Sequence, residues 1–341
     1  MRRPPRFALV VSAALLVIAG SYTAYWFIVA GQISDGVTAW AEAARADKID
    51  VSWQKIRVTG YPTAFRVEVE ATALRDDALT PPPELRVPKL AGSAHPWDFA
   101  DWWLTARDGF SVDMAGTGDR APVKLTVRTT EGVVSILAGG GWNLWLRLRD
   151  GVVDTAAPVQ ISSADAWVTA PPPGQNTDPK TAVAVSARQV SLPAAIGPLG
   201  NTIDVLDFGA TMKGAIPGGK LADAAAAWRD AGGTIVLDNL NLKWGALDAT
   251  ASSGRIALDQ ELQPMGGFSG AFRGYDQILT ALVAGGQMRA SDAGLARIAL
   301  SLLAKAGPDG KPEIRTAFTI QNGQMFLGPA KLGKAPRLTW E

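Results

Sequence analysis

One glycine-rich motif has the spacing of a nucleotide site. Residues 214–221 read GAIPGGKL, which matches the G-x-x-x-x-G-K pattern of a phosphate-binding loop before a predicted helix. Leu221 stands where a hydroxyl would ligate Mg²⁺, and Pro217 lacks one of the N–H donors that hold phosphate. Asp238 follows an apolar strand, as the metal-binding residue of such a site would. The same Leu-Asp pair recurs at Asp259, so we interpret Asp238 as the end of a strand. We therefore expect no nucleotide here.

Other groups with catalytic potential lack suitable partners in the sequence. His95 is the single histidine and there is no cysteine, so neither a Cys–His pair nor a histidine-rich zinc site can form. No serine lies in a G-x-S-x-G motif, which leaves a Ser–His–Asp triad without its usual nucleophile. The acidic pairs Asp76–Asp77 and Asp98–Asp101 are interpreted as solvated loop carboxylates. We expect no catalytic residue, no cofactor and no metal; a hydrolase that uses His95 is the third hypothesis.

Tryptophan offers a different kind of chemistry, the binding of apolar ligands. The chain has 12 tryptophans, and four of them stand in close pairs within sequence typical of strands. Their rings could line a ligand groove, although aromatic side chains also dominate ordinary cores, and packing is the competing interpretation. The candidate ligand-binding residues are Trp102, Trp103, Trp142 and Trp145.

The first segment of the chain predicts where these residues are placed. Residues 7–30 carry no charge and would form a helix of roughly 36 Å, enough to cross a hydrocarbon core of about 30 Å. Three arginines within residues 1–6 predict a cytoplasmic tail, and Tyr25–Phe27 suit the opposite membrane interface. We interpret residues 7–30 as a single-pass anchor in the inner membrane. The alternative is a cleaved signal peptide, whose apolar core is shorter, about 7–15 residues.

The residues after the anchor predict a periplasmic body that does not bind nucleic acid. They carry 30 basic and 32 acidic side chains and no run of Lys or Arg, whereas phosphate backbones need a clustered positive face. Residues 31–50 predict a juxtamembrane helix, capped at Ser34 or Asp35, that lays an apolar stripe on the body or, alternatively, pairs in a coiled coil. That stripe consists of Ile33, Val37, Trp40, Ala41 and Ala44.

Residues 51–341 predict a mainly β (β-rich α+β) domain. Short alternating runs separated by Gly and Pro favour a curved, mostly antiparallel sheet of repeated short strands with a few amphipathic helices. The first hairpin turns at Gly60–Pro62, and the polar loop 170–181 marks a possible subdivision. Helices are predicted at 221–231, 275–284 and 292–306.

Several finer predictions depend on where the alternation breaks. Residues 123–129 and 133–137 read as two strands, as do 144–148 and 152–154, and Pro88 demotes its strand to an edge or bulge. Gly233 and Gly254 each begin a similar six-residue stretch, with a looser third copy at Gly323, which suggests repeated strand units that start at a turn. The helix at 292–306 has one apolar face, formed by Leu295, Ile298, Ala299, Leu302 and Leu303.

The ordered features resemble a known family. The anchor, the Gly60–Pro62 hairpin followed by Phe65-Arg66-Val67, and the segment from Trp228 to Gly245 are similar to domain-of-unknown-function family 2125 of alphaproteobacterial envelope proteins, as is Asn322–Pro329 followed by Pro336. The match departs at Thr63, where Tyr-Pro is more usually followed by Phe. More distantly, an anchor followed by a long β-region is similar to AsmA-like envelope proteins. That likeness implies a curled sheet with an apolar groove for lipid, and it brings no catalytic residues.

Two functions of different kinds follow from these predictions. The first is a non-enzymatic protein whose sheet binds or conveys lipid, such as phospholipid, in a groove for envelope maintenance. The second is a structural or adaptor module that holds another envelope protein by strand edges or tryptophan-rich loops. Lipid recovered with the protein would favour the first, and a crosslinked protein partner the second.

Overall fold

The computed structural model describes residues 6–46, 48–77, 81–116, 121–155, 157–172, 180–215, 220–307, 310 and 312–340. These residues form four α-helices, one short 3₁₀ helix at Gly197–Leu199 and eighteen strands. The helices are α1 Arg6–Ala46, α2 Leu221–Asp230, α3 Tyr275–Ala284 and α4 Ala290–Leu303. The strands are β1 Ile49–Ser52, β2 Lys55–Thr59, β3 Phe65–Asp76, β4 Pro83–His95, β5 Asp98–Ala106, β6 Phe110–Met114, β7 Val123–Ile136, β8 Trp142–Asp154, β9 Val159–Ala170, β10 Lys180–Ser191, β11 Thr202–Lys213, β12 Thr234–Trp244, β13 Leu247–Leu258, β14 Pro264–Arg273, β15 Ala304–Ala306, β16 Pro312–Gln321, β17 Gln324–Leu327 and β18 Ala330–Lys334.

The strands form one antiparallel sheet in which sequence neighbours lie side by side. From β7 to β14 each strand pairs with the next, and β16 to β18 continue the same pattern. At the start of the sheet, β1 and β2 lie end to end along β3, while β5 and β6 both pair with β4 and β7. The predicted antiparallel, β-rich class is confirmed. The sheet also runs directly from β9 to β10, although residues 173–179 of the loop predicted as a subdivision lie outside the described residues.

Helix α1 contains both the predicted anchor, residues 7–30, and most of the predicted juxtamembrane helix, residues 31–50. It runs without interruption from Arg6 to Ala46, so the caps predicted at Ser34 or Asp35 are wrong. An apolar segment continues directly into the amphipathic one, and the backbone N–H groups at residues 34–38 therefore have carbonyl partners within the helix. The predicted stripe lies on the sheet as expected, since Ala41 and Ala44 are buried against Val51; Trp40 is the exception and is 54% exposed.

At one position on each of several neighbouring strands, the side chains that follow change from one face of the sheet to the other. These positions are aligned across the strands, and we call the line that they form the crease. Ile161 and Ala164 on β9 share one apolar cluster although they are three residues apart, as do Ala187 with Val190 on β10 and Ile203 with Leu206 on β11. Regular strands repeat every two residues, so each of these strands carries one extra outward residue. Those extra residues are in register from strand to strand; they are Arg128, Asp150, Ser162, Gln189 and Asp204.

The crease explains why one strand, β8, was predicted as two. At Asp150 and Gln189 the backbone φ is +53° and +51°, which turns the next side chain to the other face without ending the strand. The separate strands predicted at 144–148 and 152–154 are therefore one strand, β8. The strands predicted at 123–129 and 133–137 are also one strand, β7, although the break predicted between them lies beyond the crease residue Arg128. Pro88 occupies the equivalent place in β4, opposite Ala71 with φ +51°. Because β4 pairs on both sides, the edge is the wrong one of the two predicted alternatives, an edge or a bulge.

Pro88 is tolerated in an interior strand because it lies where β4 changes neighbours. Residues 83–86 of β4 pair with β6 and residues 91–95 pair with β5, which leaves Pro88 between the two ladders. A residue without an N–H removes no ladder hydrogen bond at such a gap.

The predicted glycine repeat holds at two of its three glycines. Gly233 precedes β12 and Gly323 precedes β17 as predicted, whereas Gly254 lies inside β13 and pairs with Leu237. A Cβ at Gly254 would lie 2.3 Å from the Cβ of Phe268 on β14. The glycine is therefore required by close packing between strands, not by a turn.

Helices cover the apolar face of the sheet at its two ends. Trp26 and Ala30 of α1 are buried with Phe65 at the N-terminal end. At the C-terminal end, α3 and α4 pack on β13, β16 and β18 around the fully buried Leu300 and Ile314. The helices predicted at 221–231 and 275–284 are confirmed, and the one predicted at 292–306 is α4, which ends at Leu303 because residues 304–306 form β15.

The apolar face predicted for the last helix lies in solvent. Leu295, Ile298 and Leu302 are 70%, 63% and 82% exposed, and the buried side of α4 consists of Ala293, Ala296 and Leu300. Small residues allow the helix to approach the sheet closely, so both of its sides are apolar and the larger side chains point outward.

Candidate functional site

The candidate site is the part of the apolar sheet face that no helix covers. One cross-strand row on this inner face runs through β5 and β7 to β12, in direct register on successive strands. Residues directly opposite each other in an antiparallel ladder point to the same side of the sheet. The row consists of Trp102, Val134, Leu144, Val168, Val183, Ala210 and Leu237. Ala210 and Leu237 are buried and Trp102 packs against α1, so the open part of the row runs from Val134 to Val183.

The middle of this inner face is apolar and yet partly open. Val183 and Phe208 are each 38% exposed, while Leu144, Leu146 and Val168 are half-buried. The main helix contacts are with β1 and β2 at one end and with β13, β16 and β18 at the other, and α2 packs at the end of β11, where Trp228 donates a hydrogen bond to the carbonyl of Lys213. Strands β7 to β10 and the middle of β11 lie between these covered regions. Burial of a large apolar side chain is worth about 1.5–3 kcal/mol, and this strip leaves part of that stabilisation unused.

The outer face of the same strands is polar. Arg147 contacts Asp165 at 2.9 Å on the neighbouring strand, and Arg188 contacts Asp207 at 2.6 Å. Partial burial raises the pKa of Asp207, but hydrogen bonds from Ser186, Arg188 and Asn241 outweigh it, so the pKa lies below its ordinary value. The sheet therefore presents one apolar and one hydrogen-bonded face.

The four predicted tryptophans do not lie on one face. Trp102 and Trp142 point to the inner face. Trp102 packs against the cluster of Trp26 and Phe65, whereas Trp142, the first residue of β8, is 40% exposed. Trp103 and Trp145 point to the outer face, in one row with Val133 and Trp167. On that face the guanidinium of Arg147 lies 5.0 Å from the Trp145 ring centre. The structure thus brings together two separate pairs.

Sequence reasoning missed Trp167 and the aliphatic residues of the inner row. Trp167 is 42% exposed and stands directly opposite Trp145 on the next strand. The alternation within each strand assigns residues to two sides, but it does not say which side is covered by a helix. Val183 and Phe208 therefore had no signal that marked them as exposed.

Comparison with known proteins places the chain in a family. A family model described as uncharacterized proteins conserved in bacteria, DUF2125, matches residues 26–336. The chain belongs to DUF2125. The match extends over α1 from Trp26 and over all eighteen strands of this DUF2125 protein. No curated protein and no solved structure matches it. The likeness to AsmA-like proteins therefore stays a prediction.

The chemical motifs weighed from the sequence hold structural positions in this DUF2125 protein. Of the phosphate-loop motif, residues 216–219 lie outside the described residues; Asp238 lies inside β12, not at its end, and accepts a hydrogen bond from Thr211 at 2.7 Å. The His95 ring stacks on Trp97 at 5.0 Å, with Nδ1 3.2 Å from the carbonyl oxygen of Thr63. Within the described ranges, no group of three His, Asp or Glu side chains could hold a metal ion.

The acidic pairs are engaged in local contacts. Asp77 contacts Arg75 at 2.7 Å, and Asp101 accepts a hydrogen bond from Ser135 at 2.5 Å. The Asp98 carboxylate accepts a hydrogen bond from the backbone N–H of Ala100. Asp76 ends β3, and Asp98 and Asp101 lie in β5, so the interpretation of the two pairs as loop residues is wrong for these three acids.

The most buried acid of the described chain lies in an ion pair network. The side chain of Glu313 on β16 is 7% exposed and contacts Arg315 and Arg273, each at 2.7 Å. Hydrogen bonds from Arg315 and then Arg273 hold the pKa of this carboxyl below its ordinary value. An ionised and fully paired carboxylate has no proton to give at neutral pH, which suits a structural role.

Proposed function

We propose that this DUF2125 protein is held in the inner membrane by α1 and that its periplasmic sheet binds or conveys lipid, such as phospholipid, without enzymatic chemistry. The anchor is supported by the apolar segment of α1, which is long enough to span a membrane and whose side chains are exposed over residues 10–21. Arginines before the segment support a cytoplasmic N-terminus.

The observation that carries the lipid proposal is the uncovered inner face of β7 to β11. At about 4.8 Å between strands, the open part of the row, from Val134 to Val183, is roughly 14 Å long, because Trp102, Ala210 and Leu237 at its ends are packed. One leaflet of a hydrocarbon core is about 15 Å thick, so the open part has room for one extended acyl chain. Each buried CH₂ of such a chain contributes about 0.8 kcal/mol, which requires an apolar strip and no reacting group.

Two valines of equal exposure allow a matched test. Val183 on the inner face is 38% exposed and Val152 on the outer side of β8 is 37% exposed. We expect the V183E variant to lose lipid in native mass spectrometry of the full chain, because a carboxylate beside an acyl chain is poorly solvated. The V152E variant should keep its lipid. Lipid-free wild-type protein that also takes up none from vesicles would contradict the proposal.

A second candidate function, an adaptor that holds a protein partner, is favoured by α4. Leu295, Ile298 and Leu302 recur at i, i+3 and i+7, the spacing with which a helix enters the groove of another protein. A photocrosslinker at Ile298 should then couple to one specific protein, whereas one at the exposed Ala290 of the same helix, which lies off this face, should not. Crosslinking to phospholipid alone would rule out the adaptor.

A further inference from the structure

The part of α1 that is free of the sheet is shorter than a membrane span. Every described side chain from Val10 to Ser21 is exposed, and contact with the sheet begins at Tyr22, whose hydroxyl donates to the carbonyl of Pro62. Residues 7–21 form about 22 Å of helix, whereas the hydrocarbon core measures about 30 Å. About five further residues must therefore lie within the membrane, which extends the span to Trp26.

Those further residues are the ones that hold the sheet. Trp26 is 3% exposed and stacks on Phe65 at 5.0 Å, and its Nε1 donates to the carbonyl of Ala64 at 3.3 Å. The hydroxyl of Tyr25 donates to the carbonyl of Pro96 at 3.0 Å. The β2–β3 and β4–β5 turns are thus fixed at the same height as the last residues of the span.

The two turns carry exposed aromatic rings at that height. Tyr61 on the β2–β3 turn is 47% exposed and Trp97 on the β4–β5 turn is 70% exposed. On α1 itself, Tyr25 and Phe27 are 41% and 61% exposed, and the Phe27 ring stacks on Tyr61 at 5.9 Å. We name these four residues the aromatic collar. Tyrosine and tryptophan rings favour the interface between lipid and water.

The same end of the sheet continues the apolar surface beyond the collar. The β7–β8 turn lies beside the start of β5, because Asp101 pairs with Ser135. At this turn Ile136 is 53% exposed, and Trp142, which faces it across the ladder, is 40% exposed. Trp142 also belongs to the inner face, so the collar end of the sheet leads into the uncovered apolar strip.

We infer that the aromatic collar is inserted in the outer interface of the bilayer, so that the body of the protein stands on the membrane rather than hanging from a free tether. The occupant of this surface is the lipid bilayer, because the length of α1 requires the collar to lie at interface depth. The inference rests on the proposed anchoring by α1, and it holds whether or not the inner face binds lipid.

The absence of native cysteine makes a direct test possible. Single cysteines are introduced by W97C and Y61C in the full chain, labelled with an environment-sensitive fluorophore and reconstituted in phosphatidylcholine nanodiscs with or without headgroup-proximal spin-labelled lipid. We expect a blue-shifted emission at both positions and a loss of intensity on addition of the spin label. A157C, in the exposed β8–β9 turn at the far end of the strands, is the matched control and should show neither.

L15C, in the part of α1 that does not contact the sheet, tests the membrane anchor separately from the aromatic collar. Leu15 is 61% exposed on the sheet-free helix and should report hydrocarbon if α1 spans the membrane. If L15C reports lipid while W97C and Y61C behave like A157C, the collar is overturned and the anchor stands. If L15C also reports water, both the anchor and the collar are overturned.

Discussion

The crease requires a left-handed backbone conformation at Asp150, and this requirement can be tested by substitution. Its φ of +53° belongs to the left-handed region, which costs an ordinary L-residue about 1–2 kcal/mol and a β-branched residue most. We expect the D150V variant to lower the free energy of unfolding by about 1–2 kcal/mol relative to D150G, because glycine adopts this conformation without a steric cost.

Charge contributes little to this comparison. The Asp150 carboxylate lies 3.7 Å from Arg128, but the two side chains are 56% and 77% exposed. Exposed ion pairs contribute about 0–1 kcal/mol, and D150N measures that part separately, since asparagine tolerates the left-handed conformation.

Urea unfolding of the full chain in detergent, followed by tryptophan fluorescence, measures the series. R149V is the control at a neighbouring exposed position, where the φ is negative and a β-branched residue suits the strand. D150N and R149V should leave the midpoint near that of the wild type. If D150V proved as stable as D150G, the crease would not depend on a left-handed residue and the explanation given for the inverted alternation would be wrong.

Two further predictions concern stability. G254A should destabilise the protein by about 1–3 kcal/mol because its Cβ would collide with Phe268, whereas G294A on an open side of α4 should stabilise it by about 0.5–1 kcal/mol in the same urea assay. The folded-state pKa values of Asp207 and Glu313 lie below their ordinary values, so the stability that these acids contribute is present above about pH 4–5 and is lost as the pH falls through the folded pKa. Urea midpoints should fall on acidification, less steeply in D207N, and an equal slope in both proteins would contradict this assignment.

Residues close in sequence determined the class of the fold. The charge-free segment at residues 7–30, the period of two in the body and the helical period at 275–284 are local patterns, and the structure follows all three. The family was likewise predicted from turns such as Gly60–Pro62, and the family model agrees. Local patterns succeed here because strand and helix impose different spacings on neighbouring side chains.

The tertiary structure alone decided which side of each element faces what. In the sequence, the break in the apolar–polar alternation at Asp150 resembles the end of a strand. It is identified as a crease only by the breaks aligned with it on the neighbouring strands. Trp142 and Trp145 differ by an odd number of residues and so point to opposite faces of β8, and the covering helices decide which face stays open. The spacing of side chains on each face of a strand or helix is set by its own backbone. Their burial depends on elements that are far away in sequence, so the local pattern does not say which of two apolar sides those elements will cover.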